Sequence, residues 1–254
     1  MIGRTCCVIF GLLSCLFSAA ETLVIAGDSW CPINCEADAE QRGIFVELAE
    51  QIFAESGIEV EYRTVNWARA LRDARSGKID AVLGAGIHDA PDFLFGDAAS
   101  GVSRNCFYAR PGTTWRYTGV DALPAITLGA INGYSYGEEL DSYIRTFQRD
   151  LRRVQLAAGE RALTINAEKV SLGRIDATLE NTWVMAAFLK RAGKRPALEQ
   201  VGCRRPDVPI YLAFSPALPS SERYLAIYQQ GLHRFRQDGR YERLLQRYGV
   251  SSLD

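Results

Sequence analysis

The chain has few of the residues that metal binding and nucleic-acid binding require. Only two of its 254 residues are histidine, His88 and His233, and neither stands at metal-ligand spacing from a cysteine. The 29 basic and 30 acidic side chains leave no excess of positive charge for a phosphate backbone or an anionic membrane surface. Long proline, serine and glutamine tracts are also missing. We therefore expect a folded protein with no metal, no cofactor and no nucleic-acid partner.

Long hydrophobic runs are missing as well, except at the N-terminus. Arg4 is followed by the apolar run "CCVIFGLLSCLF" and the small residues "SAA". This pattern predicts a secretory signal peptide over residues 1–20, cleaved after Ala20. The run is too short to cross about 30 Å of hydrocarbon comfortably. As an alternative, "LLSC" resembles a lipoprotein box in which Cys15 would carry the lipid.

Four cysteines remain after the predicted cleavage: Cys31, Cys35, Cys106 and Cys203. An exported protein enters a compartment that permits disulfides, and four cysteines allow three connectivities. Because Cys31 and Cys35 are close enough for a small loop, we favour the pairs 31–35 and 106–203, although the sequence does not exclude the others. A zinc site is the alternative, but it would need further ligands that two histidines do not supply at the right spacing.

Strands and helices alternate along the mature chain. The first unit reads as strand, helix, strand, helix and strand in the segments "TLVIAG", "GIFVELAEQIFAESG", "IEVEYRTV", "WARALRDARSG" and "KIDAVLGAG". The apolar residues of the first helix fall on one face, namely Ile44, Phe45, Leu48, Ile52 and Phe53. The alternation predicts a mainly parallel sheet covered by helices on both faces.

One heptapeptide occurs twice, with small changes. The segment "GKIDAVL" at 77–83 returns as "GRIDATL" at 173–179. In both copies a predicted helix ends at the glycine, and Ile-Asp-Ala then opens a buried strand. The second copy belongs to a further unit built from "AITLGAIN", "SYGEELDSYIRTFQRDL" and "ERALTINAEKVSLG". Seven residues also match by chance, but their equivalent places in two units indicate two related lobes.

Five segments in this order resemble one known family. They are "LVIAGDSWCPIN", the long stretch from "GIFVELAEQ" to "AVLGAG", "ITLGAINGYSYGEEL", "GRIDATLEN" and "YLAFSP". Together they are similar to the bacterial extracellular solute-binding proteins of family 3, the polar amino-acid group with the type II periplasmic binding fold. The resemblance covers nearly all of residues 21–250.

The resemblance implies an α/β fold of two lobes, each a mainly parallel sheet flanked by helices. Two hinge strands, near "CFYARPG" and "PIYLAFSP", would join the lobes. Lobe 1 would then be discontinuous, with residues 21–109 and 211–254, and lobe 2 would comprise residues 110–210.

The implied function is capture of a small polar solute, an amino acid or a related small carboxylate, in the cleft between the lobes. The protein would be a periplasmic monomer that serves the permease of an ABC transporter. One alternative is an enzyme of the same fold with dehydratase-like acid/base chemistry on a small carboxylic acid. Another is a periplasmic sensor or interaction protein without a transport role. The sequence shows no Ser/His/Asp or Cys/His arrangement, so we expect a binding protein rather than an enzyme.

Candidate ligand-binding residues follow the predicted strands, because ligands of parallel sheets settle beyond the carboxyl ends of the strands. In lobe 1 they are Asp28, Trp30, Gly84, Ala85 and Gly86, together with Trp67 and Arg69 of a family-like "W-x-R" pattern at a helix start. Trp30 would offer an apolar face to a solute. Ordinary packing of Trp30 and a solvated helix face for Arg69 are the structural alternatives.

In lobe 2, Ser135 and Glu138 match a capping box that follows Gly133. The free N–H groups of such a helix start, at Tyr134 and Ser135, suit a carboxylate or another anion. A plain helix cap without a ligand is the alternative.

Two positions depart from the family pattern. Asp92 stands where amino-acid binders carry the arginine that clamps the ligand carboxylate with two charge-assisted hydrogen bonds. Asn181 stands where the family often has the aspartate that holds the ligand's amino group, and Glu180 is its neighbour. We expect Arg69 or Arg104 to replace the missing cation and Glu180 to replace the missing anion.

Overall fold

The computed structural model describes residues 21–191 and 197–251. The predicted signal peptide, with the alternative lipid site at Cys15, lies outside these residues. Within them, no helix has both the length and the apolar character needed to cross a membrane.

The chain forms ten strands, described here in chain order: β1 Glu21–Gly27, β2 Ile58–Thr64, β3 Ala81–Ala85, β4 Gly101–Ser103, β5 Asn105–Ala109, β6 Leu128–Ile131, β7 Val154–Ala157, β8 Ala177–Asn181, β9 Glu199–Cys203 and β10 Val208–Phe214. The α-helices are α1 Ile44–Ala54, α2 Trp67–Arg75, α3 Glu138–Phe147, α4 Ala162–Ser171, α5 Thr182–Lys190, α6 Ser221–Gln237 and α7 Arg240–Arg247. A 3₁₀ turn covers Val120–Ala125.

The strands form two five-stranded sheets with equivalent layouts. The first has the order β2-β1-β3-β10-β4 and the second the order β7-β6-β8-β5-β9. In each sheet one strand, β10 or β5, runs antiparallel to both of its neighbours, whereas β1 pairs in parallel with β2 and β3, and β6 with β7 and β8. Two α/β lobes flanked by helices are therefore present, and the predicted fold class is confirmed.

The core of the first lobe forms where the hydrophobic pattern of the sequence predicts it. The five apolar residues expected on one face of α1 are all fully buried, namely Ile44, Phe45, Leu48, Ile52 and Phe53. They pack with side chains of α6 and α7, such as Tyr228, Leu232 and Leu244. The C-terminal helices thus return to the first lobe and complete its core.

Both crossings between the lobes occur earlier in the chain than predicted. β5 lies in the second sheet, although residues 105–109 were predicted in lobe 1. β10 lies wholly in the first sheet, although residues 208–210 were predicted in lobe 2. All five residues of β5 are buried, since β5 pairs with β8 on one side and β9 on the other. The chain therefore crosses at Arg104 and again within residues 204–207.

The repeated heptapeptide makes the same contacts in both lobes. In the first, the Val24 N–H donates to Asp80 Oδ2 at 2.8 Å, and the Asp80 N–H donates to the Val24 carbonyl at 2.8 Å. In the second, the Thr127 N–H donates to Asp176 Oδ2 at 2.8 Å, and the Asp176 N–H donates to the Thr127 carbonyl at 2.9 Å. Each aspartate thus fixes the start of one strand to the neighbouring strand, which explains why one phrase occurs twice.

We expect Asp80→Ala and Asp176→Ala each to lower the free energy of unfolding by about 1–3 kcal/mol, because each leaves a backbone N–H without its acceptor. Asp80→Asn and Asp176→Asn are the matched controls, since an amide oxygen still accepts that bond. Urea unfolding followed by circular dichroism measures the difference. Equal stability of the alanine and asparagine variants would contradict the role of the side-chain acceptor.

Candidate functional site

Two small cavities lie between the lobes, with volumes of about 40 and 60 Å³. Residues of both sheets line them, and five residues line both cavities: Asp28, Trp30, Trp67, Tyr134 and Glu180. Asp28 and Trp30 follow β1, while Tyr134 follows β6 and Glu180 lies near the end of β8. The carboxyl ends of the central strands therefore meet at this cleft, as the strand-end rule predicts.

The two lobes contact each other directly across the cleft. The Trp30 Nε1–H of the first lobe donates to Glu180 Oε1 of the second at 3.0 Å. In the opposite sense, the Tyr134 hydroxyl of the second lobe donates to Asp28 Oδ2 of the first. The Trp30 and Tyr134 rings also meet edge to face, with centroids 6.3 Å apart. The cleft is closed in this arrangement, and side chains of opposite lobes hold it closed.

A disulfide loop positions Trp30. Cys31 and Cys35 are bonded, and the Trp30 N–H donates to the Asn34 carbonyl at 2.7 Å. The Asn34 side-chain amide donates to the Asp28 carbonyl at 2.6 Å, so the loop also fixes the backbone at Asp28. The second predicted pair, Cys106 with Cys203, is present too and joins β5 to β9. Both favoured disulfides are therefore confirmed.

Glu180 is the most deeply buried charged side chain of the cleft, with 1% of its surface exposed. Its Oε1 accepts hydrogen bonds from Trp30 and from the Asn181 N–H, the latter at 2.7 Å. Its Oε2 is buried and has no hydrogen-bond partner among the described residues. Burial disfavours the charged form and raises the pKa of Glu180 to about 7.

Two more carboxyl groups with raised pKa values face the cleft. Desolvation raises the pKa of Asp28 to about 6, although the hydrogen bond from Tyr134 opposes the shift. Desolvation also raises the pKa of Asp89 to about 7, against the hydrogen bond that its Oδ2 accepts from the Gly86 N–H at 2.7 Å. Asp28 and Asp89 lie with Glu180 around the 40 Å³ cavity. A cluster of perturbed acids in a cleft is typical of a functional site.

No lysine, arginine or histidine lines either cavity in the part of the chain that the structure describes. The acidic lining residues are Asp28, Asp89, Glu160 and Glu180. The described residues also contain no group of three or more His, Cys, Asp or Glu side chains suited to a metal ion. The cleft is therefore electronegative.

The structure does not bring the expected cations to the cleft. Arg69 projects from α2 with 63% of its side chain exposed and pairs with Asp73, its Nε lying 3.2 Å from Oδ2. Arg104 forms a bidentate pair with Asp207 at the crossing, with its shortest N–O distance at 2.8 Å. Asp92, at the position of the family's arginine, is an exposed partner of Arg75. The missing carboxylate clamp is therefore not replaced by either arginine in this arrangement.

The predicted capping box in lobe 2 is wrong. Helix α3 begins at Glu138 after Gly137, and no side chain caps it. The Ser135 hydroxyl donates instead to Asp141 Oδ2 at 2.6 Å, while the Tyr136 N–H donates to Asp141 Oδ1 at 2.7 Å. A positive φ of 98° at Gly137 extends the chain before the helix, so Ser135 lies too early to act as its cap. Ser135 and Tyr134 nevertheless line the 40 Å³ cavity.

The remaining predicted residues divide between cleft and scaffold. Gly84 and Gly86 line the 40 Å³ cavity, but Ala85 is fully buried and is not among the lining residues. Asn181 caps α5, because its Oδ1 accepts from the N–H groups of Trp183 at 2.8 Å and Val184 at 3.2 Å. Since its amide also donates to Ser103, Asn181 is occupied by structural contacts.

Sequence reasoning missed several residues of the cleft. They are Asp89, Ser103, Asn105 and Tyr136, and all of them line the 40 Å³ cavity. Asp89 follows β3 by four residues, so the strand-end rule, extended a little further, would have found it. Ser103 and Asn105 flank the first crossing, which was predicted several residues later.

These features define a class of protein: a two-lobed α/β binding fold with a polar cleft at the facing strand ends. The chain belongs to the bacterial extracellular solute-binding proteins, family 3, whose family model matches residues 23–251. Comparison with curated protein sequences gives no match.

Solved structures share the fold at low sequence identity. An ancestral arginine-binding protein bound to arginine has a TM-score of 0.72 at 17% identity, covering 89% of this chain and 97% of its own. A histidine kinase sensor domain with similarity to periplasmic binding proteins reaches 0.74 at 19% identity, with coverages of 91% and 98%. The ancestral amino-acid-binding protein AncCDT-1, a precursor of cyclohexadienyl dehydratase, reaches 0.68 at 18% identity, with coverages of 89% and 94%. At these identities the similarity establishes the fold.

We expect the buried charge of Glu180 to reduce stability at alkaline pH. The folded-state pKa of about 7 exceeds the model value of 4.5, so the folded state holds the proton more tightly than the unfolded state. Stability contributed by the protonated form is therefore lost as the pH rises from about 4.5 to 7. Glu180→Gln should raise the free energy of unfolding by about 1–3 kcal/mol at pH 8 and change it little at pH 4.

The matched control is Glu160→Gln, which makes the same chemical change at an exposed position of the same cleft. We expect it to alter stability by less than about 0.5 kcal/mol at either pH. Urea unfolding at pH 4, 6 and 8 gives the comparison. A destabilised Glu180→Gln protein at pH 8 would show that the charged form is favoured by the fold.

Proposed function

We propose that this protein captures a small polar solute in its interlobe cleft outside the cytoplasm and delivers it to the membrane permease of an ABC transporter. One observation carries the proposal: Glu180 is buried between the lobes with an unpartnered oxygen at the cavity wall. Because an unpaired buried polar atom costs free energy, a solute that supplies a hydrogen bond there gains affinity. Family membership and the amino-acid-binding neighbours support the same conclusion.

Closure of the lobes is the expected mechanism of capture. Every cavity wall combines residues from both lobes, so a bound solute makes its full set of contacts only when the lobes approach each other. A solute of this kind shifts the population toward the closed state. The segments at the two crossings, around Arg104 and residues 204–207, are the places where such a hinge would bend.

Binding is better supported than catalysis. The raised pKa values of Asp89 and Glu180 would let either carboxyl group act as a general acid near neutral pH. A dehydratase acting on a small carboxylic acid, however, must also hold an anionic substrate, and the described cavity walls carry no cationic side chain. Turnover of a prephenate-like acid would support the enzyme.

A sensor role is the second candidate, because a histidine kinase sensor domain shares the fold over 91% of this chain. In that case closure of the cleft would be read by a partner protein rather than by a permease. Uptake of the identified ligand by cells with and without the gene separates the two roles. Unchanged uptake together with a changed transcriptional response would favour the sensor.

We expect a ligand to stabilise the protein and to keep it compact. The protein is unfolded, dialysed and refolded to remove bound solute, and then screened by thermal unfolding against amino acids, small carboxylates and organic amines. A ligand at about one hundred times its dissociation constant adds about 2.7 kcal/mol, which raises the melting temperature by roughly 5–10 °C. Small-angle scattering should show a smaller radius of gyration, or an unchanged one if the empty protein is already closed.

Arg69→Ala is the matched control for the ligand found in this screen. Because Arg69 is exposed and paired on the surface of α2, we expect its removal to change the affinity by less than about 0.5 kcal/mol, as for Arg72→Ala. A screen without any stabilising compound would contradict the proposed function. Selective loss of affinity in Arg69→Ala would place that arginine at the ligand after all.

A further inference from the structure

The charge of the cleft is unbalanced. The half-buried Asp28 and Asp89 and the buried Glu180 line the 40 Å³ cavity together, and the described walls of the cleft hold no basic side chain. Carboxylates collected in a partly desolvated space repel one another unless a positive charge lies between them. An arrangement that leaves this charge uncompensated selects for a positive ligand.

The buried oxygen of Glu180 is an independent indication. Glu180 is 1% exposed, its Oε1 already accepts two hydrogen bonds, and its Oε2 has no partner in the described structure. A carboxylate oxygen can only accept hydrogen bonds, so the group that completes this site must be a donor. An ammonium or guanidinium group is the donor that also balances the charge.

The rest of the cavity wall suits the body of an organic cation. Aromatic rings of Trp30, Trp67, Tyr134 and Tyr136 line it, together with the apolar side chains of Leu83, Val208 and Ile210. Aromatic faces attract cations, and apolar side chains pack against a hydrocarbon body. The wall thus matches a ligand with a positive head and an apolar remainder.

A ligand carboxylate would find little to bind at the same wall. The hydroxyl of Ser103 donates to Asn105 Oδ1 at 3.1 Å, and the hydroxyl of Ser135 donates to Asp141. Helices α2 and α4 begin beside the 60 Å³ cavity, but the acidic side chain of Glu160 also lines that cavity. Neither cavity therefore presents a strong site for an anion.

We propose that the cleft selects an organic cation without a carboxylate, a protonated amine or guanidinium on an apolar body, in preference to the α-amino acid of the same side chain. Glu180 and Asp28 would bind the positive group, and the aromatic and apolar residues would surround the body. The proposal rests on the proposed solute-binding function and names the chemical class of its ligand.

Matched pairs that differ only in the carboxylate test the proposal. The probes are arginine and agmatine, lysine and cadaverine, tyrosine and tyramine, and phenylalanine and phenethylamine, each titrated into stripped protein by calorimetry. We expect at least one amine to bind about tenfold or more tightly than its amino acid, because the carboxylate adds repulsion without a partner. The proposal is overturned if the amino acid binds as tightly as the amine in every pair that binds.

The same measurement separates the proposal from the function on which it rests. If an amino acid or a small carboxylate binds tightly while no amine does, solute binding stands and the cation preference is wrong. If no member of any pair and no small carboxylate binds, both the cation preference and the solute-binding function fail.

Two variants test the assigned residues. We expect Glu180→Gln and Asp28→Asn each to weaken the best-bound amine by about tenfold or more, since each removes a charge that faces the cation. Asp92→Asn is the matched control, because Asp92 is an exposed carboxylate of the same lobe paired with Arg75, and its affinity should stay within about twofold. Thermal unfolding of each variant establishes that it is folded. Equal weakening by all three variants, or by none, would contradict the assignment.

Discussion

The structure of the cleft depends on one buried carboxyl group, that of Glu180. The residue lies near the end of β8 in the second lobe, yet it accepts a hydrogen bond from Trp30 of the first lobe. Burial makes its charged form unfavourable, and the two hydrogen bonds to Oε1 offset only part of that cost. An apolar residue would give a more stable contact between the lobes. A carboxyl group retained at such a place is better explained by binding than by folding.

Rigid supports on both sides keep this group in position. The disulfide loop fixes Trp30 on the first lobe, while the Cys106–Cys203 bond joins two strands of the second lobe beside the crossings. The crossings themselves are tied together, because Arg104 pairs with Asp207 and the Arg204 N–H donates to the Asn105 carbonyl at 2.9 Å. The two connecting segments are therefore coupled, which suits a single hinge.

The sequence predicted those parts of the fold that local patterns determine. The apolar face of α1 and the repeated Ile-Asp-Ala follow from periodicity and from self-similarity, and both are in place. The ends of the lobes depend instead on which distant strands pair. β5 reads as a buried strand, but nothing within residues 105–109 indicates that β8 and β9, rather than the first sheet, are its partners.

The cleft was predictable only in part, for a similar reason. The strand-end rule located Asp28, Trp30 and Glu180, because the end of a central strand is fixed by the topology. It could not show that Arg69 faces solvent, since the helix start alone does not fix which way a long side chain turns. The acidic partner of Ser135 was predicted at Glu138 but is Asp141, because Gly137 delays the start of the helix.

Proton exchange on ligand binding tests the account most directly. Near pH 6.5 the raised pKa values of Asp28, Asp89 and Glu180 leave these carboxyl groups partly protonated, and the neighbouring Tyr134 and Tyr136, whose pKa values burial also raises, stay neutral. A bound cation favours the ionised carboxylates, so protons must leave. Calorimetric titration of the best-bound amine in two buffers of different ionisation enthalpy at pH 6.5 should show net proton release. Saturable binding with no proton exchange, or with proton uptake, would contradict the claim that these buried acids hold the ligand.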